Sequence, residues 1–224
     1  MVADFSQADF QIKISKTGHA VPVVGDVHLH SIYNPIKEAE AFLEKNAASI
    51  KQKNKVLILG LGFAYHVNLV LKFMEINFGN DFEIAVVEPH LNMAKECLTR
   101  DLLNDPRVTV FSKPQAALLY KIEEFVDFLL RGPTVLTHTA SFNLHERYFR
   151  DLLSYRSPTD VQSISSRIKD EGLKKYFATL LPETDLNKLM EEDIKASRKA
   201  TSAEEHLLLA FSKMAQVKKN EVSL

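Results

Sequence analysis

The chain reads as an α/β protein: a mainly parallel, doubly wound sheet, preceded by a β-hairpin and followed by a helical extension. Three observations predict this. Strand-length apolar runs alternate with helical patterns: Val56-Leu57-Ile58-Leu59, Ile84-Ala85-Val86-Val87, Val108-Thr109-Val110-Phe111 and Thr134-Val135-Leu136-Thr137-His138. Such alternation argues parallel strands joined by right-handed crossover helices. The first run meets a glycine turn, Gly60-Leu61-Gly62, and the second ends in an acid, Glu88, so residues 55–88 form one strand–turn–helix–strand unit. Finally, 224 residues with 46% apolar content suffice for one such domain and an extension.

Taken in order, residues 9–30 open with alternation. Phe10, Ile12 and Ile14 share one face, and Gln11 and Lys13 the other. A turn at Lys16-Thr17-Gly18-His19 and a second extended run, Val21, Val23 and Val24, broken by Pro22, predict the hairpin. Asn34-Pro35 has the chemistry of an N-cap followed by a first helical residue. Glu38 and Glu40 then suit the positive end of the helix dipole. Ile36, Ala39, Phe42, Leu43 and Ile50 make the apolar stripe of that helix, and Val67, Val70, Leu71 and Met74 that of the crossover helix. A helix is expected from about His90 through Leu103, and another from Pro114 with Ala117, Leu118, Ile122, Phe125 and Leu129. Gly132-Pro133 ends it. Beyond Ser141 the alternation stops. Leu144 to Leu153 reads as a helix, and residues 159–222 as mostly polar helical pattern, most apolar at Leu207-Leu208-Leu209, Phe211 and Met214. A frayed tail is expected from Lys218-Lys219-Asn220. The division is residues 1–33, hairpin and leader; 34–156, the α/β domain; and 157–224, the helical extension.

Charge and composition exclude several classes. A net charge of −1 lacks the basic footprint of a general nucleic-acid binder. Cys97 is the only cysteine, so an intramolecular disulfide and a paired-cysteine zinc motif are excluded. No apolar run approaches the roughly 20 residues that span a bilayer. A cytoplasmic protein is expected.

The candidate binding residues follow from the central unit. Gly60 permits a tight turn, Gly62 close approach of backbone to a ligand, and the helix behind them free N–H groups. Ala64 stands where many cofactor loops carry a third glycine. Glu88 lies 88 − 62 = 26 residues after Gly62, as a ribose-binding acid at the end of a second strand would. The expected cofactor-binding set is Gly60, Gly62, Tyr65, His66 and Glu88. These residues resemble the cofactor half of class I S-adenosylmethionine methyltransferases about as well as a dinucleotide fold. The fold expected is thus Rossmann-like and methyltransferase-like, with S-adenosylmethionine or a nucleotide as the cofactor class. His138 ends the fourth strand, where active sites of open sheets gather, and is the best acid–base candidate, although no partner motif assigns a catalytic residue. His28 and His30, two apart, share a strand face with Asp26, but no third ligand has metal-site spacing, so no metal is expected. Cys97 reads as core.

Two segments together carry a family resemblance. His28-Leu29-His30-Ser31-Ile32-Tyr33-Asn34-Pro35-Ile36-Lys37-Glu38-Ala39-Glu40 resembles the leader of the N-terminal domain in the motility-associated factor (Maf) family, bacterial proteins linked to flagellin glycosylation. That family continues with a strand and a Gly-x-Gly-x-Gly-Tyr-His-like turn, here Gly60 to His66 with Ala64 as the departure. Glu88-Pro89 and the late strand Leu136-Thr137-His138, followed by Ser141, also fit. The resemblance covers roughly residues 10–155. Full-length members carry a further, larger α/β domain that transfers a nonulosonic sugar from its CMP form, and residues 157–224 offer only helical pattern in its place. The resemblance therefore implies an accessory or binding module without the transferase. Flagellin or its modifying enzymes are the expected partners, and the C-terminal helices the docking or self-association surface. The alternative is a small-molecule methyltransferase, although His138-Thr139-Ala140-Ser141-Phe142 lacks an Asn-Pro-Pro-Tyr-like signature. The absent third glycine disfavours a dehydrogenase.

Overall fold

A computed structural model describes residues 10–165, 168, 170–189 and 202–210. It divides into two compact units, residues 1–155 and 156–224. In the first unit β1 (Phe10–Ile14), β2 (Ala20–Val24) and β3 (Val27–His28) form an antiparallel sheet in that order. The hairpin is as expected, and the two-residue β3 extends it. Pro22 continues β2 rather than breaking it. Its carbonyl accepts the Leu29 N–H, and its missing donor falls beyond the end of the short third strand.

The leader then enters α1 (Pro35–Ile50). Asn34 is the N-cap, its side chain accepting the Lys37 N–H at 3.0 Å, with Pro35 at the first helical position. Next come β4 (Lys55–Leu59), α2 (Tyr65–Phe78), β5 (Glu83–Val87), α3 (Leu91–Thr99) and β6 (Val108–Phe111). They are followed by α4 (Ala116–Leu119), α5 (Glu123–Leu130), β7 (Thr134–Thr137), α6 (Thr139–Leu144) and α7 (Glu146–Leu153). The four later strands make an all-parallel sheet in the order β6-β5-β4-β7. This is the Rossmann-like arrangement: β5 and β6 add on one side of β4 and β7 on the other, so the strand order reverses between β4 and β7.

The β4 run is unbroken because both its faces are covered. Val56 and Ile58 meet Val67, Val70 and Met74 of α2 in one core. Leu57 and Leu59 meet Leu119, Phe125 and Phe149 of the other face. A third cluster places the hairpin over the carboxyl edge of the parallel sheet. Val24 and Leu29 pack there with Phe63 of the glycine turn and Met93 of α3.

Three helices differ from expectation. α3 stops at Thr99, short of Leu103, because Asp101 takes φ +52°. The Leu102 and Asp101 N–H groups then bond back to the Cys97 and Leu98 carbonyls, a Schellman stop with aspartate in the usual glycine place. The helix expected from Pro114 is two, α4 and α5. Leu119 and Phe125 would point about 120° apart on an unbroken helix, and the break lets both be buried on the sheet. The helix expected from Leu144 to Leu153 is α7, preceded at once after β7 by α6.

The second unit contains α8 (Val161–Ser165) and α9 (Glu171–Phe177), with residues 186–189 and 203–210 also helical. Val161 and Phe177 are buried, and Asp160 and Asp185 form an isolated antiparallel bridge. Phe211, Met214 and the Lys218-Lys219-Asn220 tail lie outside the described residues. Among the described residues no helix is long and apolar enough to cross a membrane.

Candidate functional site

In an open parallel sheet, loops on either side of the reversal point part at the carboxyl edge and leave a crevice. Here that crevice lies between the glycine turn after β4 and the β7–α6 junction. Four segments converge on it: the leader brings His30, the turn Gly60 to Ala64, the start of α2 His66, and the end of β7 His138 with Ser141 of α6.

The glycine turn is held from behind by Glu88. This carboxylate is fully buried, and its two oxygens accept the Leu61 and His90 N–H groups, each at 2.9 Å. Burial raises its pKa to about 7, against the opposing pull of the N–H groups of Leu61, His90 and Gly62. Gly60 and Gly62 have φ +102° and +50°, and Ala64 keeps the left-handed form at +58°. The turn thus retains glycine geometry where alanine replaces glycine. Left-handed backbone costs a non-glycine residue about 1–2 kcal/mol, and burial of the Ala64 methyl offsets part of it.

The space that the glycines leave is filled by side chains. A Cβ on Gly62 would lie 2.4 Å from His30 Nε2, and one on Gly60 2.3 Å from the Ser141 Cβ. The Phe63 N–H donates to His30 Nε2 at 3.1 Å. An amide can only donate, so Nε2 carries the lone pair and Nδ1 the proton. Glu38 Oε2 stands 3.4 Å from that Nδ1, within ion-pair distance but without hydrogen-bond alignment, and accepts the Ser31 N–H at 2.7 Å. Burial would raise Glu38, but His30 and Ser31 outweigh it and hold the carboxylate below its ordinary value. As the loop stands, a phosphate has no room against Gly62, so these residues do not fit the pyrophosphate of a dinucleotide.

Behind His30 the other two imidazoles stack. The rings of His66 and His138 are nearly parallel at 7°, with centroids 4.3 Å apart, and His30 lies 4.8 Å from His138 and 5.6 Å from His66. His66 Nε2 donates to the Gly60 carbonyl at 3.0 Å, and His138 Nδ1 shares a hydrogen bond with Ser141 Oγ at 2.8 Å. Burial, then the neighbouring His30, lowers His66 to about 3. Burial, then His66 and His30, holds His138 well below the usual histidine value. Both rings are therefore neutral near pH 7. His66 Nδ1 is buried without a hydrogen-bond partner.

The expected residues are distributed as follows. Gly60, Gly62 and His66 lie at the crevice, with His138 beside them, and Glu88 braces the turn from the neighbouring strand. Tyr65 points instead to the hairpin, its hydroxyl donating to the Ala20 carbonyl at 2.8 Å, which ties the two sheets together. His30 joins not His28 but His66 and His138. Cys97 is buried in the core, where burial first and then Glu88 push its thiol up to about 12. Sequence reading missed Ser141 as a partner of His138, and the leader as an occupant of the crevice. The signal it had was the Tyr-His that follows the turn. Two further polar atoms, His145 Nε2 on the ring beside His90 and the hydroxyl of Tyr148, which feels the charge of Glu88, are buried without hydrogen-bond partners. Burial, then His90, lowers His145 to about 4, and burial, then Glu88, raises Tyr148. An open cleft of about 590 Å³ lies at the opposite, amino edge of the sheet beside Lys53, Lys55 and Arg131. Its cations are engaged, Lys53 by the Gly132 carbonyl and the other two by Glu83.

No family model matches this chain, and no curated protein matches it. Among solved structures, the crystal structure of MnmC2 from Aquifex aeolicus is similar over 52% of this chain and 46% of that one, at 15% identity and a TM-score of 0.35. This chain thus matches less than half of that protein's length.

Proposed function

We propose that the chain is an accessory module of the motility-associated factor type, which acts through a partner in flagellin glycosylation and not as a glycosyltransferase. The observation that carries this reading is where the two resemblance-bearing segments meet. The leader inserts His30 against the glycine turn, and the turn answers with the Phe63 N–H. Asn34 and Glu38 fix the same leader, one by capping α1 and the other by holding Ser31. A nucleotide-fold edge whose glycines are closed by its own leader suits a scaffold better than a turnover site. Affinity capture with the full chain, from a flagellated bacterium encoding it, tests the proposal. Enrichment of flagellin or its glycosylation enzymes is expected, and enrichment of neither counts against it.

The methyltransferase reading draws support from Glu88 at the end of β5, with the unpartnered Tyr148 hydroxyl within its electrostatic reach and the unpartnered His145 Nε2 on the ring beside His90. Those atoms suit a polar, hydroxyl-bearing ligand, although both Glu88 oxygens already hold backbone N–H groups. Calorimetry with S-adenosylmethionine separates the readings. Heat of binding that Glu88→Ala abolishes favours the cofactor, and none at millimolar ligand removes it.

A further inference from the structure

We propose that His30, His66 and His138 together bind one divalent transition-metal ion of the zinc class, which clamps the leader to both sides of the crevice.

The three rings are buried, and one ring nitrogen from each lies within 4.8 Å of the others. A metal-binding imidazole aims one lone pair at the ion while an oxygen orients its other nitrogen. Two of the rings hydrogen-bond such an outer oxygen, and the third, His30, has a carboxylate oxygen 3.4 Å from its other nitrogen. His66 gives its Nε2 proton to the Gly60 carbonyl, which can only accept, so the lone pair is on Nδ1. That nitrogen is buried and without a hydrogen-bond partner. His138 has Ser141 Oγ at Nδ1, leaving Nε2. His30 has the Glu38 carboxylate beside Nδ1, and its lone pair is on Nε2. Carbonyl, hydroxyl and carboxylate are the oxygens that commonly fix ligating histidines. Neutral imidazole nitrogens suit zinc, copper and nickel and do not suit calcium or magnesium, which take oxygen ligands.

Two adjustments accompany binding. Parallel stacked rings cannot both aim a lone pair at one ion, so one of His66 and His138 turns out of the stack. His138 is the freer, because its partner is a rotatable hydroxyl rather than a backbone carbonyl. The Phe63 N–H also yields the His30 lone pair to the ion. Both make the affinity lower than that of a preformed three-histidine site. The ion joins residues 30, 66 and 138, one each from the leader, α2 and the β7–α6 junction. The same clamp gives Ser141 a positioning role through His138.

The test is titration of the full-length, chelator-stripped chain with cobalt chloride, followed by zinc chloride displacement. One equivalent of Co²⁺ with the visible bands of a four-coordinate site of three imidazole nitrogens and one solvent oxygen is expected. His66→Ala and His138→Gln should abolish those bands, and Ser141→Ala should weaken binding roughly 10-fold. His28→Ala should leave them unchanged, since His28 lies outside the cluster. No band in the wild-type chain, or bands that survive His66→Ala, would overturn the proposal. Should the alanine variant fail to fold, ¹⁵N-histidine NMR of the wild-type chain decides instead. Zn²⁺ must move ring nitrogens of His30, His66 and His138 among the eight histidines, and shifts confined to other histidines mean binding elsewhere and refute it.

Discussion

Replacing Gly62 with alanine separates two reasons for a glycine. Its φ of +50° alone costs an alanine about 1–2 kcal/mol. In addition, the new Cβ would sit 2.4 Å from His30 Nε2, so the buried imidazole must leave its place. The Phe63 N–H then loses its acceptor, and a buried unpaired donor costs about 1–3 kcal/mol. Gly62→Ala should therefore destabilise the chain by roughly 2–5 kcal/mol. Gly18→Ala is the control, with φ +81° and nothing within 4 Å of its Cβ, so only the backbone cost of about 1–2 kcal/mol applies. Urea unfolding, followed by circular dichroism and tyrosine fluorescence with chelator present, measures both. In a His30→Ala background the cost of Gly62→Ala should fall to that of Gly18→Ala, because the clash and the hydrogen bond are already gone. A Gly62→Ala cost equal to the control's, or unchanged by removing His30, refutes the reasoning.

Three further outcomes are expected. Glu88 has a folded pKa of about 7 against an ordinary 4.5, so the native state holds its proton more tightly. The stability it contributes is complete below about 4.5 and is lost as pH rises through 7. Relative to Glu88→Gln, in which the histidine contributions cancel, wild-type stability should fall by roughly 2–4 kcal/mol between pH 5 and pH 8 in urea melts. A flat or rising difference contradicts the burial argument. Asn34→Ala removes the α1 cap, for a loss of about 1 kcal/mol that Asn34→Ser largely restores. Tyr120→Phe keeps the stacking on Tyr155 at 3.8 Å but deletes the hydrogen bond to the Leu152 carbonyl, at a cost of about 1 kcal/mol in the same melts.

What was legible in the sequence were features whose cause is local or periodic. The β4 run showed itself because both faces of that strand are covered, and the start of α1 because Asn34 and Pro35 act on their own neighbours. The end of α3 was hidden because Asp101 occupies a conformation that glycine usually signals. The break between α4 and α5 was hidden because it answers to the sheet beneath and not to the helix itself. The histidine cluster was the least legible. Residues 30, 66 and 138 have no spacing to recognise, and only the strand order and the fold-back of the leader bring them together. Sequence offered the pair His28 and His30 instead, and β3 ends between them, with His28 half-buried on the hairpin and His30 buried at the crevice.

The glycine turn shows why a motif alone does not name a ligand. A bare Cα at Gly62 permits close approach of anything, and a phosphate oxygen and an imidazole nitrogen need similar room. In this chain the imidazole is its own, supplied by a leader that Asn34 and Glu38 hold in place. The acid at the end of β5 is diverted in the same way, its oxygens bracing the Leu61 and His90 backbone instead of a ribose. The first diversion depends on the leader and the turn being one structural unit, joined by the Phe63 N–H on His30. If Gly62→Ala and His30→Ala prove coupled, Gly62 is explained by a protein contact, and a phosphate there must first move His30.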